Sequence, residues 1–286
     1  VSQQRVAVVA DSTCHLPAGW AQEYGIGIVP VQVIIDGKAF DESDDEQAAE
    51  VVTALRARRM VTTSRPTPVS FLRAYRDAQS AGAPGVVALT LSSAMSATHD
   101  SAVVAATEAG LPVEVVDTRS VAMGVGFAAV TAARVAAAGG TIEQVAAAAA
   151  ARAAALSVLF YVDDLEYLRR GGRIGGARAA IGQVLQVKPL LEVRDGAVEV
   201  LEQVRTAGKA LARLADVSVE IAGDRAVDVA VQNLAAADRA AGLAGELRRR
   251  LPRGTVVESV AGGVVGAHVG PGLVAVVVAP HVDESV

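Results

Sequence analysis

Short apolar runs alternate with helical patterns through the first half of the chain. Residues 5–11 (RVAVVAD) read as a strand closing in a turn, and 26–35 (IGIVPVQVII) as a strand that Pro30 bends or places at an edge. Residues 44–59 pass from polar to helical. The runs at 86–91 (VVALTL) and 113–117 (VEVVD) are each followed by a helical pattern. This alternation predicts a parallel sheet covered by helices. Alanine-rich helix is expected over about 121–155, broken at Gly139-Gly140, with Thr141 and Gln144 spaced as a capping box.

The second half mixes hairpins with helices. Residues 156–162 read as a strand, and 163–185 as a short helix, a glycine-arginine loop and a second helix. Residues 188–204 form a hairpin pattern around Asp195-Gly196. Helices near 206–222 and 235–250 alternate with a strand at 226–234. The uncharged stretch 259–280 is long enough to span a membrane, but five glycines and Pro271 interrupt it; it reads as two buried strands around a glycine-rich loop at 262–272. The predicted class is α/β in two lobes: an N-terminal parallel-sheet, three-layer domain over 1–155 and a C-terminal mixed α+β domain over 156–286.

Composition narrows the function. The 286 residues carry 26 Lys and Arg against 31 Asp and Glu, a formal charge of −5, with 3% aromatics. That gives neither a basic footprint nor a stacking platform for nucleic acid. A single cysteine, Cys14, forms no intrachain disulfide, which fits a reducing cytoplasm. The opening residues lack a signal-peptide pattern, since Asp11 falls where an apolar run would continue.

There is no G-x-S-x-G, no Walker A loop, no H-E-x-x-H and no paired C-x-x-C. Three other clusters stand out. In TTSRPTP (62–68), Thr62, Thr63, Ser64 and Thr67 surround Arg65. In SSAMSATHDS (92–101), Ser92, Ser93, Ser96, Thr98 and Ser101 follow a buried strand. GGVVGAHVGPG (262–272) sets His268 among glycines, with Gly270 and Gly272 flanking Pro271. Caps and turns account for one or two of the hydroxyls in each of the first two. A neutral anion cradle, with hydroxyls joining free backbone N–H groups where a strand meets a helix, accounts for more.

Together the clusters resemble the DegV family of bacterial fatty-acid-binding proteins. The resemblance is carried in order by DSTCHLP (11–17), TSRPTP (63–68), SSAMSATHDSA (92–102), LEYLRRGGRI (165–174) and GAHVGPG (266–272). It implies two α/β lobes with a long-chain fatty acid between them. The carboxylate would be held by Thr63, Ser64, Ser92 and Ser93 with Arg205 and His268, and approached by the loop glycines Gly266, Gly270 and Gly272. It further implies presentation of the acyl chain to a separate ATP-dependent fatty acid kinase, with Arg169, Arg170 and Arg173 as the docking edge. No catalytic residue, metal ligand, cofactor or stable membrane insertion is expected. Ala97, His99, Asp100 and Ala122 depart from the family pattern. Burial of each methylene contributes ~0.8 kcal/mol, so a long chain supplies on the order of 10 kcal/mol before the costs of association. Two other readings remain: a serine acyl hydrolase using Ser93 or Ser96 with His268 or His99, and a binder of another small anionic metabolite.

Overall fold

The computed structural model describes residues 5–42, 45–173 and 188–281. Its contacts divide the chain into two compact units. One takes the segments up to Gln32 and from Ser64 to Ala155; the other takes Val33–Thr63 and Leu156–His281.

The first unit is built on four parallel strands in the order β2-β1-β6-β7, namely Ile26–Val29, Ala7–Asp11, Val86–Thr90 and Val113–Asp117. Every residue of β6 is buried. The reason is that helices cover both faces. Val8, Ala10, Val87 and Leu89 pack with α5 (Met123–Ala137) and α6 (Ile142–Ala155), whereas Val9, Val86 and Ala88 pack with Phe71 and Tyr75 of α3 (Pro68–Ser80) and Ala102 of α4 (Thr98–Ala106). A strand buried on both faces reads as a continuous apolar run, as 86–91 does. The capping box before α6 forms as expected: the Thr141 N–H donates to Gln144 Oε1 at 2.9 Å, and the Gln144 N–H to Thr141 Oγ1 at 3.3 Å.

The second unit carries a six-stranded mixed sheet, β10-β9-β8-β13-β11-β12. Its centre is β13 (Leu273–Pro280), antiparallel to β8 (Ser157–Tyr161) and β11 (Val227–Leu234). The hairpin is β9 (Lys188–Arg194) and β10 (Ala197–Val204), and Asp195 and Gly196 both take positive φ, 51° and 81°, as a two-residue turn demands. β12 (Gly254–Val260) forms one edge. Helices α8 (Ala207–Ala222) and α9 (Ala237–Arg250) cover a core of Leu159, Tyr161, Val229, Val231, Val274, Val276 and Val278.

Two expectations change. The first is the assignment of all of 1–155 to one domain: residues 33–63 pack with the second unit. Pro30 is where the chain leaves the parallel sheet. Beyond it, β3 (Gln32–Ile35), β4 (Lys38–Asp41) and β5 (Val61–Ser64) make a separate three-stranded sheet, with α2 (Asp45–Arg56) between β4 and β5. The second is the glycine-rich loop at 262–272, most of which is a helix, α10 (Gly263–Val269). Glycine disfavours helix, but tertiary contact overrides it here. A Cβ on Gly263 would stand 2.9 Å from Val51, and one on Gly266 2.7 Å from Leu234. The glycines let the helix lie directly against α2 and β11. The helix expected after Gly172 falls outside the described residues. No helix among the described residues is long and apolar enough to cross a membrane.

Candidate functional site

In the first unit, buried Asp11 gathers the ends of two strands. Its carboxylate accepts the Leu91 N–H at 2.6 Å, the Thr13 N–H at 3.0 Å and the Thr13 hydroxyl at 2.6 Å, while Ser12 Oγ accepts the Val31 N–H at 3.0 Å. Sequence reasoning treated DST as a family signature and missed this bracing role. The signal was there: an acid directly at the end of an apolar strand.

The hydroxyl run after β6 is bonded largely within its own unit. The N–H groups of residues 92–96 all have acceptors. Ser92 N–H donates to the Ser120 carbonyl and Ser93 N–H to the Asp117 carboxylate. Ala94 N–H donates to Ser92 Oγ, and both Met95 and Ser96 N–H to the Ser92 carbonyl. Helix α4 starts only at Thr98, where Ser96 Oγ accepts the Thr98 N–H and pairs with Thr98 Oγ1 at 2.9 Å. Ser92 is fully buried, and Ser93 is the exposed hydroxyl of the turn. His99 Nδ1 lies 3.3 Å from Thr90 Oγ1, which ties that ring to the strand end. Arg65 Nη1 donates to the Ala97 carbonyl at 3.4 Å, joining the first two sequence clusters within this unit.

The turn before α5 holds a strained backbone. Ala122 takes φ 59° and ψ −140°, a combination that costs a non-glycine residue on the order of 1–3 kcal/mol. A nucleophilic serine placed on such a strand-to-helix turn would be the mark of a hydrolase. Here the turn carries a methyl group.

In the second unit, residues from distant parts of the chain converge on α10. Buried Glu42 accepts the Val264 N–H at 2.8 Å and so caps the helix, a role not anticipated from the sequence. At the other end, His268 Nε2 lies 2.8 Å from Thr63 Oγ1. Thr63 and Ser64 sit in strand β5, not in a loop, and Thr67 is the N-cap of α3 as expected, accepting the Ser70 N–H. His268 Nδ1 is sealed from solvent and meets no polar partner among the described residues. Burial pushes the imidazole down to about 4, and the Arg173 charge acts in the same direction. The ring is therefore neutral at physiological pH.

Two glycines beyond His268 mesh with the segment 163–171. Gly270 stands at φ +74°, and a Cβ on it would enter the Tyr167 ring. Gly272 stands at φ +97°, and a Cβ on it would strike the Asp163 carboxylate. Asp163 accepts the Tyr161 hydroxyl at 2.8 Å and a two-pronged pair from Arg239 at 2.9 Å each. Arg239 holds its carboxyl below the usual range, and burial raises the Tyr161 phenol to about 12. Of the glycines assigned to a ligand loop, Gly266 instead lies inside α10 and serves packing.

The remaining candidates fall elsewhere. Arg205 is exposed between β10 and Thr206, the N-cap of α8; among the described residues no hydrogen bond joins it to Thr63 or His268. Arg169 and Arg170 are exposed on α7 (Glu166–Gly171) and both pair with Glu166, at 2.6 and 2.8 Å. Arg173 Nη1 donates to the Gly171 carbonyl at 2.8 Å.

Comparison with known proteins bears on what this arrangement holds. A family model described as an uncharacterised protein of the DegV family matches residues 5–281. A DegV domain-containing protein of Streptomyces coelicolor is 50% identical over 96% of this chain and 98% of its own. A DegV family protein from Thermus thermophilus, described as fatty-acid-binding, superposes with a TM-score of 0.91 at 32% identity, covering 97% of this chain and 100% of that one. DegV of Bacillus subtilis, also described as a fatty acid binding protein, gives 0.87 at 27% identity over 98% and 100%.

Proposed function

Since the chain belongs to the DegV family, we propose that it binds a long-chain fatty acid, with Thr63 and His268 at the carboxylate, and that it catalyses no reaction itself. The observation that carries this reading is the hydroxyl–imidazole pair with no acid behind it among the described residues. A nucleophile–base pair needs a third group to orient the base. Among the described residues His268 Nδ1 has none, and an imidazole held near 4 is a weak base at neutral pH. The same pair suits binding. A buried unpaired acceptor is less costly than a buried unpaired N–H, so we assign the proton to Nε2, donating to Thr63. The Thr63 hydroxyl is then free to donate to a carboxylate oxygen.

The first unit supplies its own candidates, Ser64, Ser92 and Ser93. Asp117 beside Ser93 disfavours an anion there, so the larger effect is expected at Thr63. Titrating a long-chain fatty acid into Thr63→Ala should show affinity weakened roughly tenfold, as loss of a hydrogen bond to a charged group gives. Ser93→Ala should weaken it less. Unchanged affinity in both variants would move the head group elsewhere.

Presentation to a separate fatty acid kinase is the finer part of the proposal. Exposed Arg169 and Arg170 support it as a docking edge. Arg173 bonds the Gly171 carbonyl and acts on His268, so it is left out of the test. Arg169→Glu with Arg170→Glu should leave fatty acid affinity unchanged and cut acyl-phosphate formation by the cognate kinase about tenfold, the effect of one desolvated interface arginine. Full turnover at sub-saturating protein would make α7 a plain helix end.

A further inference from the structure

The two adjacent glycines that end α7 answer different needs. Gly172 stands at φ +69°, the left-handed cap of the helix, and a Cβ there would meet nothing within 4 Å among the described residues. Gly171 is helical, and its backbone suits any L residue. What it lacks is room. A Cβ on Gly171 would stand 2.4 Å from His268 Nδ1 and 3.4 Å from both Cε1 and Cγ.

Neither side of this contact yields easily. The ring is tied at its far edge to Thr63, 2.8 Å away. On the α7 side, Leu168 is buried, Tyr167 meshes with Gly270, and Arg173 bonds the Gly171 carbonyl. The contact also bears on the orphaned Nδ1. An imidazole is usually oriented by a hydrogen bond at its second nitrogen. Here that nitrogen faces a bare Cα.

We propose that Gly171 is a positioning residue for the Thr63–His268 pair: its missing side chain is the seat that orients the imidazole, in place of a hydrogen bond at Nδ1. The consequence for ligand affinity rests on the fatty-acid reading, whereas the steric contact stands without it. The two motifs LEYLRRGGRI and GAHVGPG are then one device, since Tyr167–Gly270 and Gly171–His268 mesh in succession, with Asp163–Gly272 just before them.

The test is a cycle of Gly171→Ala and His268→Ala, with Gly172→Ala as control. Fatty acid titration, the unfolding midpoint and imidazole resonances followed against pH are the readouts. Gly171→Ala should move the His268 titration from about 4 toward its ordinary 6.5 and weaken fatty acid binding roughly tenfold, the worth of one hydrogen bond. That loss should vanish in the His268→Ala background. Gly172→Ala should leave the His268 titration in place. An unmoved titration in Gly171→Ala, or an equal loss in both backgrounds, would overturn the proposal. If Gly171→Ala does not fold, His268→Ala must restore folding, and failure to do so overturns it as well. If even the unmodified protein binds no fatty acid, the fatty-acid reading falls, and a shifted His268 titration still upholds the seat.

Discussion

Asp11→Ala is expected to lower stability by about 4 kcal/mol, the largest effect of any polar substitution considered. The carboxylate is fully buried and accepts from the Leu91 N–H, the Thr13 N–H and the Thr13 hydroxyl. Alanine would leave these donors buried without this acceptor, and each orphaned group costs roughly 1–3 kcal/mol. The bond to Leu91 also ties the end of β1 to the residue after β6, so its loss loosens the sheet at the edge that carries Ser92 and Ser93. Asp11→Asn keeps the shape and one acceptor oxygen and should cost less than half as much. Urea unfolding of the three proteins checks the order; a loss under about 1 kcal/mol in Asp11→Ala would show that the bonds are replaced by water.

The second large effect is a pH dependence that originates at one ring. His268 is held near 4 when folded and returns to 6.5 when unfolded. Between those values the unfolded chain binds a proton that the native chain refuses, so stability rises with pH across the window. The contribution is full above 6.5, is lost as the pH falls, and is gone by about pH 4. It amounts to about 3 kcal/mol. Desolvation is the main cause, and Arg173 is the charged group that acts on the ring. Carboxylates also titrate near the lower end; Glu166, for example, is held near 2 by Arg169 and Arg170. The difference between the unmodified protein and His268→Asn isolates the histidine. Unfolding free energies at pH 7 and 4.5 should converge for the two proteins on acidification. Parallel profiles would mean that the ring is solvated.

Much of the fold was legible because local and tertiary signals agreed. The run 86–91, the Asp195-Gly196 turn and the Thr141–Gln144 box each became what their chemistry specifies. The same agreement let five short motifs point to the family. What escaped notice depended on partners far away in sequence. Residues 262–272 read as a loop because glycine is a poor helix former. They are mostly helical because Gly263 and Gly266 press against Val51 and Leu234, and Glu42 caps the first turn. No local pattern announces that 33–63 leaves its neighbours to form that bed.

The site was legible in part for the same reason. The resemblance sets Thr63 and His268 at one carboxylate, and the fold brings them to hydrogen-bonding distance across 205 positions of sequence. The hydroxyl run 92–101 also serves the fold. Its density looked like spare donors, yet Ser92 and Ser96 are occupied in closing their own turns. Gly171 reads in the sequence as part of a glycine-arginine loop, whereas it ends α7 with its Cα against the His268 ring.

The central claim is that this chain holds one fatty acid by its carboxylate. Native mass spectrometry of the protein as purified, repeated after delipidation and after titration with a long-chain fatty acid, tests it most directly. A mass increment of one fatty acid per chain is expected, lost on delipidation and regained on titration, with weaker retention in Thr63→Ala. A chain that carries no lipid as purified and takes none up on titration would contradict it.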